Sequence, residues 1–234
     1  MSDAENTEAI VRAIAREAVD LIDKNVVGPV KPGSTPQPVA GAAVARLSRL
    51  LDIQLAASAS DSEVFVLCTR AAMETWLTGH AALLLGDRAA PLLDERATHG
   101  SMSLDHIARQ LDDEMYGESD RPKAFRRHLR SFYDEVDVAG SEGTTVWLGR
   151  YIDDGVVPVI RTSPALSERS NDFVRVALWV TLFLAHGYFD AIGEPSTAKA
   201  ARALFDRLRG ATDEFYSRRR SDGMRSGRAV TPPT

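Results

Sequence analysis

A chain of 234 residues, 44% hydrophobic and 26% charged, has enough apolar material for one substantial core and is neither a disordered polymer nor a fibre. Its formal net charge of −5 argues against a protein built mainly to coat nucleic acid. The single cysteine, Cys68, forms no internal disulfide, and the first eight residues are acidic and polar; together these predict a cytoplasmic protein with no secretory signal.

The first element, residues 4–27, sets Ile10, Ile14, Ala18, Leu21 and Ile22 on one side. The opposite-charge pairs Glu8/Arg12, Arg16/Asp20 and Asp20/Lys24 run along the other. This predicts an amphipathic helix over residues 1–27 that could stand apart as an arm. Residues 28–38 hold four prolines and two glycines and read as a linker. A bundle domain is expected over 39–216. It opens with a helix over 39–59, whose stripe is Val44, Leu47, Leu51 and Leu55.

Asp61 or Ser62 then caps a nearly all-apolar helix reaching Leu85. Arg70 and Glu74 fall within the sector of Leu67, Leu77, Ala81 and Leu85 on a helical wheel. A helix that is apolar all round is a core helix, so this ion pair is expected to be desolvated. Cys68, in the same helix, reads as a buried structural thiol.

A short helix is expected to start at Pro91. Ser103 reads as the N-cap of a helix over Leu104–Leu111, with Asp105 in its favourable first turn. Another helix should start at Arg121–Pro122, with Phe125, Leu129 and Phe132 inside and Lys123, Arg126, Arg127 and Arg130 mostly outside. In the stretch 145–160, Val146-Trp-Leu and Val156-Val-Pro-Val-Ile flank Asp154-Gly155, a hairpin signal that Pro158 restricts to an edge. Helices resume over 167–192 and 196–216, and residues 217–234, with five arginines and a Pro-Pro-Thr end, read as a disordered basic tail. The fold class is therefore all-α: one helical bundle of about seven helices, with at most one small β-hairpin.

The residues able to carry a function are few. Arg175, His186 and Asp190 lie within about 60° of one another on the helix over 167–192, with Trp179 among them. This polar stripe either faces water or completes a buried network with Arg70 and Glu74. The His186/Asp190 spacing also suits an oriented imidazole. The apolar run from Phe173 to Ile192 is long enough to span a bilayer, but charges near a helix centre in lipid cost ~2.5–3.5 kcal/mol each, so no membrane partner is expected.

Glu95/His99, Asp105/His106 and Glu74 with His186 are candidate metal ligands. None repeats as the Glu-x-x-His pairs of di-iron bundles, and there is no cysteine pair. No metal and no cofactor are expected. There is no Gly-x-Ser-x-Gly and no phosphate-cradling glycine loop. Leu104–Leu111 resembles the first helix of a helix-turn-helix. The nine residues after it include Asp112, Asp113, Glu114, Glu118 and Asp120, too long for the turn and repulsive to phosphate. Nucleic acid is disfavoured, and the expected partner is a second copy of the chain or another protein.

Arg70-Ala-Ala-Met-Glu74, then Tyr133-Asp-Glu-Val-Asp-Val-Ala-Gly140, then the apolar helix over 172–192 follow one another in an order that resembles bacterial all-helical proteins of uncharacterised function related to HEPN domains. The resemblance covers about residues 40–195. Where that group has serine and histidine, this chain has Asp137 and Gly140, so an activity resting on that histidine is not implied here. HEPN ribonucleases also use an arginine and a histidine with four to six residues between them. Arg121 and His128 have that spacing, with Arg121 then stabilising the transition state and His128 acting as general base. Arginines make up 24 of the 28 basic residues, a bias pointing to a GC-rich bacterial coding sequence, and such a spacing then arises readily by chance. The expected function is a non-catalytic interaction or ligand-sensing module. A metal-independent ribonuclease and a small-molecule enzyme using Arg70, Glu74, His186 and Asp190 are the alternatives.

Overall fold

Helices make up almost all of what the computed structural model describes, which is residues 3–26, 36–57, 62–93, 103–117, 123–127, 129–130, 152–153, 159–160 and 170–225. They are α1 (Asp3–Val26), α2 (Pro36–Ala56), α3 (Ser62–Leu85), α4 (residues 89–93), α5 (Ser103–Tyr116), α6 (residues 124–127, with 129 and 130 also helical), α7 (Ser170–Ala191) and α8 (Pro195–Arg225). The protein is an all-α bundle. One antiparallel ladder, β1 (Ile152–Asp153) with β2 (Val159–Ile160), sets Ile152 opposite Ile160 and falls inside the stretch read as a hairpin. The run Val146–Leu148 lies outside the described residues.

α7 is the hub, in contact with α1, α2, α3 and α8. Its long apolar run makes this affordable: Val174, Ala177, Leu178, Val180, Leu182, Leu184, Ala185 and Phe189 are all buried. Thr69 Oγ1 lies 3.4 Å from the Phe173 carbonyl oxygen, and Gly187 lies against Leu83, so α3 and α7 run parallel. α2 runs against both, with Gln54 near the start of α3 and Gly41 under Tyr188 near the end of α7. A glycine turn reverses the chain into α8. Gly193 takes φ +78°, the Glu194 N–H donates to Phe189 O (2.8 Å) and the Gly193 N–H to Asp190 O (3.1 Å). Pro195 then opens α8, where its missing N–H costs nothing.

Four boundaries differ from the sequence reading, α5 among them: it runs past Leu111 to Tyr116, through residues read as the gap after it. α1 is no arm: Val11, Ile14, Ala15, Ala18 and Ile22 are buried in the common core, and Arg207 of α8 grips Glu17 with two hydrogen bonds of 2.6 and 3.0 Å. α2 begins at Pro36, inside the expected linker, because a proline in the first helical turn breaks no hydrogen bond. α8 continues past Tyr216 to Arg225, through residues read as tail. Arginine is a good helix former, and no proline interrupts that stretch.

Small residues let α2, α3 and α7 close up. A Cβ on Gly79 would meet Leu184 of α7 and come within 2.9 Å of Ala43 Cβ on α2, whereas one on Gly210 of α8 would meet nothing within 4 Å. Alanine should therefore act with opposite sign at the two sites. Gly210→Ala is expected to stabilise by about 0.5–1 kcal/mol through helix propensity. Gly79→Ala should forfeit that gain and lose about 1–3 kcal/mol to overpacking. Urea unfolding of the two variants checks the pair, and equal shifts would refute the close crossing.

Beneath this crossing, Gln54 Nε2 donates to Phe65 O (3.0 Å) and to Thr69 Oγ1 (2.7 Å), and Thr69 Oγ1 donates to Phe65 O (2.7 Å). This buried knot ties α2 to α3 through the Gln54 amide N–H groups, while Gln54 Oε1 is buried without a hydrogen-bond partner.

Candidate functional site

The expected core ion pair is not in the core. Arg70 and Glu74 are 3.4 Å apart along α3, with side chains 50% and 27% exposed. The same wheel sector is buried further along the helix, at Leu77, Ala81 and Leu85, and open at Leu67, which is 65% exposed. α5 and α6 make the difference. Arg88, just past the end of α3, pairs with Glu114 of α5 at 2.9 Å, and Phe125 of α6 stacks on Trp76. The cover lies over the C-terminal part of α3.

The buried ion pair is instead Asp112–Arg126, 3.0 Å apart, with side chains 0% and 7% exposed. Asp112 projects from α5 and closes the start of α6. Its Oδ1 accepts the Phe125 N–H (2.8 Å), and its Oδ2 accepts the N–H groups of Lys123 (3.0 Å) and Arg126 (3.2 Å) and Arg126 Nε–H (3.0 Å). A carboxylate there satisfies amides that have no partner within their own helix and sits at its favourable dipole end. The sequence reading placed Asp112 in a phosphate-repelling loop and Arg126 mostly outside. Both are corrected, because a cap supplied from another helix leaves no local pattern.

Only the Arg175 end of the α7 polar stripe comes level with Arg70 and Glu74. Thr69 is level with Phe173, so Arg175 lies near the level of the α3 pair, while His186 lies about 17 Å further along the axis at 1.5 Å per residue. His186 is half-buried and its Nδ1 is 3.2 Å from the Ala198 carbonyl, which fixes that nitrogen as the protonated one. A backbone carbonyl of α8, not Asp190, orients this imidazole; Asp190 is exposed. Arg121, His128, Glu95 and His99 lie outside the described residues. Asp105 and His106 are exposed on α5. Among the described residues no three His, Cys, Asp or Glu side chains are grouped to hold a metal ion, and no helix is long and apolar enough to cross a membrane. Cys68 is buried, and burial pushes its thiol pKa up.

What does converge is aromatic. Trp76 and His80 stand one turn apart on α3, Phe125 reaches them from α6, Trp179 and Phe183 from α7, and Phe205 continues the group on α8. The rings of Trp179, Phe183 and His80 form a near-parallel stack: 5.4 Å and 7° for the first pair, 5.1 Å and 13° for the second. Trp76 meets His80 edge-on at 5.2 Å, stacks on Phe125 at 5.3 Å and meets Trp179 at 5.9 Å. At the outer end Phe205 leans on Trp179 and Phe183, with the Arg202 guanidinium over its face at 5.5 Å. Trp76, His80 and Phe125 are buried, whereas Trp179, Phe183 and Phe205 are only partly covered.

His80 has the most perturbed environment. Its Nδ1 lies 3.2 Å from Trp76 O, so that nitrogen carries the proton, and burial pushes the imidazole pKa down to about 4. At neutral pH it is an uncharged ring among rings. The indole N–H of Trp76 is buried with no acceptor. The sequence reading passed over both residues, since a histidine one turn after a tryptophan in an apolar helix looks like ordinary core. The partly covered rings Trp179, Phe183 and Phe205 lie at the outer end of the aromatic group, with Arg202 over Phe205.

No protein-family model, no curated protein and no solved structure matches the chain.

Proposed function

We propose that this chain is a non-catalytic module of the bacterial cytosol, HEPN-like in arrangement, that works by holding a ligand or a protein partner, a second copy of itself included. The observation that supports this reading is the aromatic stripe on α7 and α8. Trp179, Phe183 and Phe205 are only partly covered and contact one another, with Arg202 over the face of Phe205. Half-covered aromatic faces beside an arginine are the composition of a binding surface. The enclosed His80, with a pKa of about 4 and a backbone carbonyl as its partner, favours binding over acid–base work. The small-molecule-enzyme alternative is disfavoured by the separation of Arg70 from His186 along the bundle.

Two measurements on the full chain test the proposal. Sedimentation velocity reports self-association. Tryptophan emission during titration with planar probes (adenosine, indole, riboflavin) reports ligand binding. Wild type is expected to associate or to respond, and Trp179→Ala to lose at least tenfold in affinity. The proposal fails if purified protein in EDTA cleaves a hairpin RNA and Arg121→Ala or His128→Ala abolishes the cleavage, because the ribonuclease alternative is then correct.

A further inference from the structure

We propose that the outward stripe of α7 is the interface of a two-fold dimer, in which a second copy of this chain lies antiparallel across it. This names the occupant of the aromatic stripe and rests on reading that stripe as a binding surface.

The order of residues along α7 carries the proposal. Arg175, Trp179, Phe183, His186 and Asp190 fall within about 80° of one another round the helix, at steps of four, four, three and four residues. The first four are half-buried and Asp190 is exposed. Read along the chain, the stripe is a cation, three rings and an anion. Turned end for end, it complements itself. A two-fold axis crossing α7 beside Phe183 puts Arg175 and Asp190 about 11 Å to either side. Arg175 then lies opposite the partner's Asp190 and Trp179 opposite the partner's His186, while the two Phe183 rings meet at the axis. The His186 ring is held by the Ala198 carbonyl, so it presents a fixed face to the indole. Such reciprocal pairing is what a two-fold contact requires.

α8 repeats the pattern alongside. It runs antiparallel to α7, with His186 against Ala198 and Trp179 against Phe205. Arg209 is therefore level with Arg175 and Glu194 with Asp190, both of them exposed. The same axis sets Arg209 opposite the partner's Glu194, and brings Lys199 within a helical turn of the partner's Asp206. Arg202 comes near its own copy at the axis, but Asp206 lies 3.3 Å from it.

Opposite charge at the two ends selects the occupant. A foreign surface of one sign is attracted at one end of the strip and repelled at the other, whereas a reversed copy matches both. Leu67 and Tyr116 are more exposed, at 65% and 51%, but they stand on α3 and α5 without repeating along either helix. From Arg175 to Asp190 the strip is about 22 Å long and two helices wide, a footprint of roughly 450 Å² per copy. Standard interfaces bury about 800 Å² per partner, so a micromolar dimer is expected rather than an obligate one.

Sedimentation velocity of the full chain, from about 1 to about 200 μM, tests this. Wild type should form a concentration-dependent dimer. Asp190→Arg and Arg175→Asp should each weaken it at least about tenfold, because each sets like charges against one another on both sides of the axis. An equimolar mixture of the two variants should dimerise again, since every residue 175 then meets its opposite charge at 190. If either variant does not fold, the exposed α8 pair Arg209→Asp and Glu194→Arg gives the same test. A wild-type dimer that these reversals leave intact, or a mixture that stays monomeric, overturns the antiparallel interface and leaves the binding-module reading standing. Wild type that is monomeric throughout also overturns it. Tryptophan emission with the planar probes then separates the two ideas: a response keeps the module reading, and silence ends both.

Discussion

Asp112→Ala is expected to cost the fold about 3–5 kcal/mol, the penalty for removing one member of a buried ion pair, while Glu74→Ala is expected to change stability by no more than about 0.5 kcal/mol. The two carboxylates look alike in sequence, each set in a helix and each within reach of an arginine. Their surroundings differ. Asp112 is fully buried and accepts four hydrogen bonds, three from the backbone at the start of α6 and one from Arg126. Its loss leaves amides and a guanidinium without that carboxylate in a place water does not reach, and such groups are costly. Glu74 meets Arg70 on an open face, where solvent screens the attraction and both side chains lose entropy to hold it. Urea unfolding of the two variants separates these cases. A large loss in Glu74→Ala with none in Asp112→Ala would place the buried charge where the helical wheel put it.

Trp76→Ala is the second large effect, expected at about 3–5 kcal/mol. Trp76 is among the largest fully buried side chains and packs on His80, Phe125 and Trp179, so truncation opens a cavity at the meeting of α3, α6 and α7. Trp76→Phe should be far milder, under about 1.5 kcal/mol. A phenyl ring fills most of the space, and the indole N–H it removes has no acceptor to lose. Thermal and urea unfolding of both variants give the ratio. If phenylalanine is as damaging as alanine, the N–H has a partner in solution.

Much of the bundle was legible because helix signals are local. The 3.6-residue stripe of α1 and the apolar run of α7 each speak through neighbours in sequence, and the helices form where those signals lie. The candidate site was less legible. Arg70 and Glu74 were misplaced because a helical wheel discards position along the axis, and α5 and α6 cover α3 over only part of its length. His186 was recognised as an oriented imidazole, but its partner is the Ala198 carbonyl across the α7–α8 turn, not the aspartate four residues on. His80 and Trp76 gave no signal, since only the arrival of Phe125 and Phe183 from other helices turns two core residues into a stack.

The amino-acid sequence by itself determined that this protein is a helical bundle, which stretches are greasy enough to lie inside, and where along the chain most of its helices lie. These properties follow from backbone propensity and side-chain period, which act over a handful of neighbours. Only the tertiary structure decided which charges are dry and which histidine is enclosed. Desolvation depends on what every other helix places around a group, so two residues of the same type can differ by several kcal/mol while their local sequences look the same.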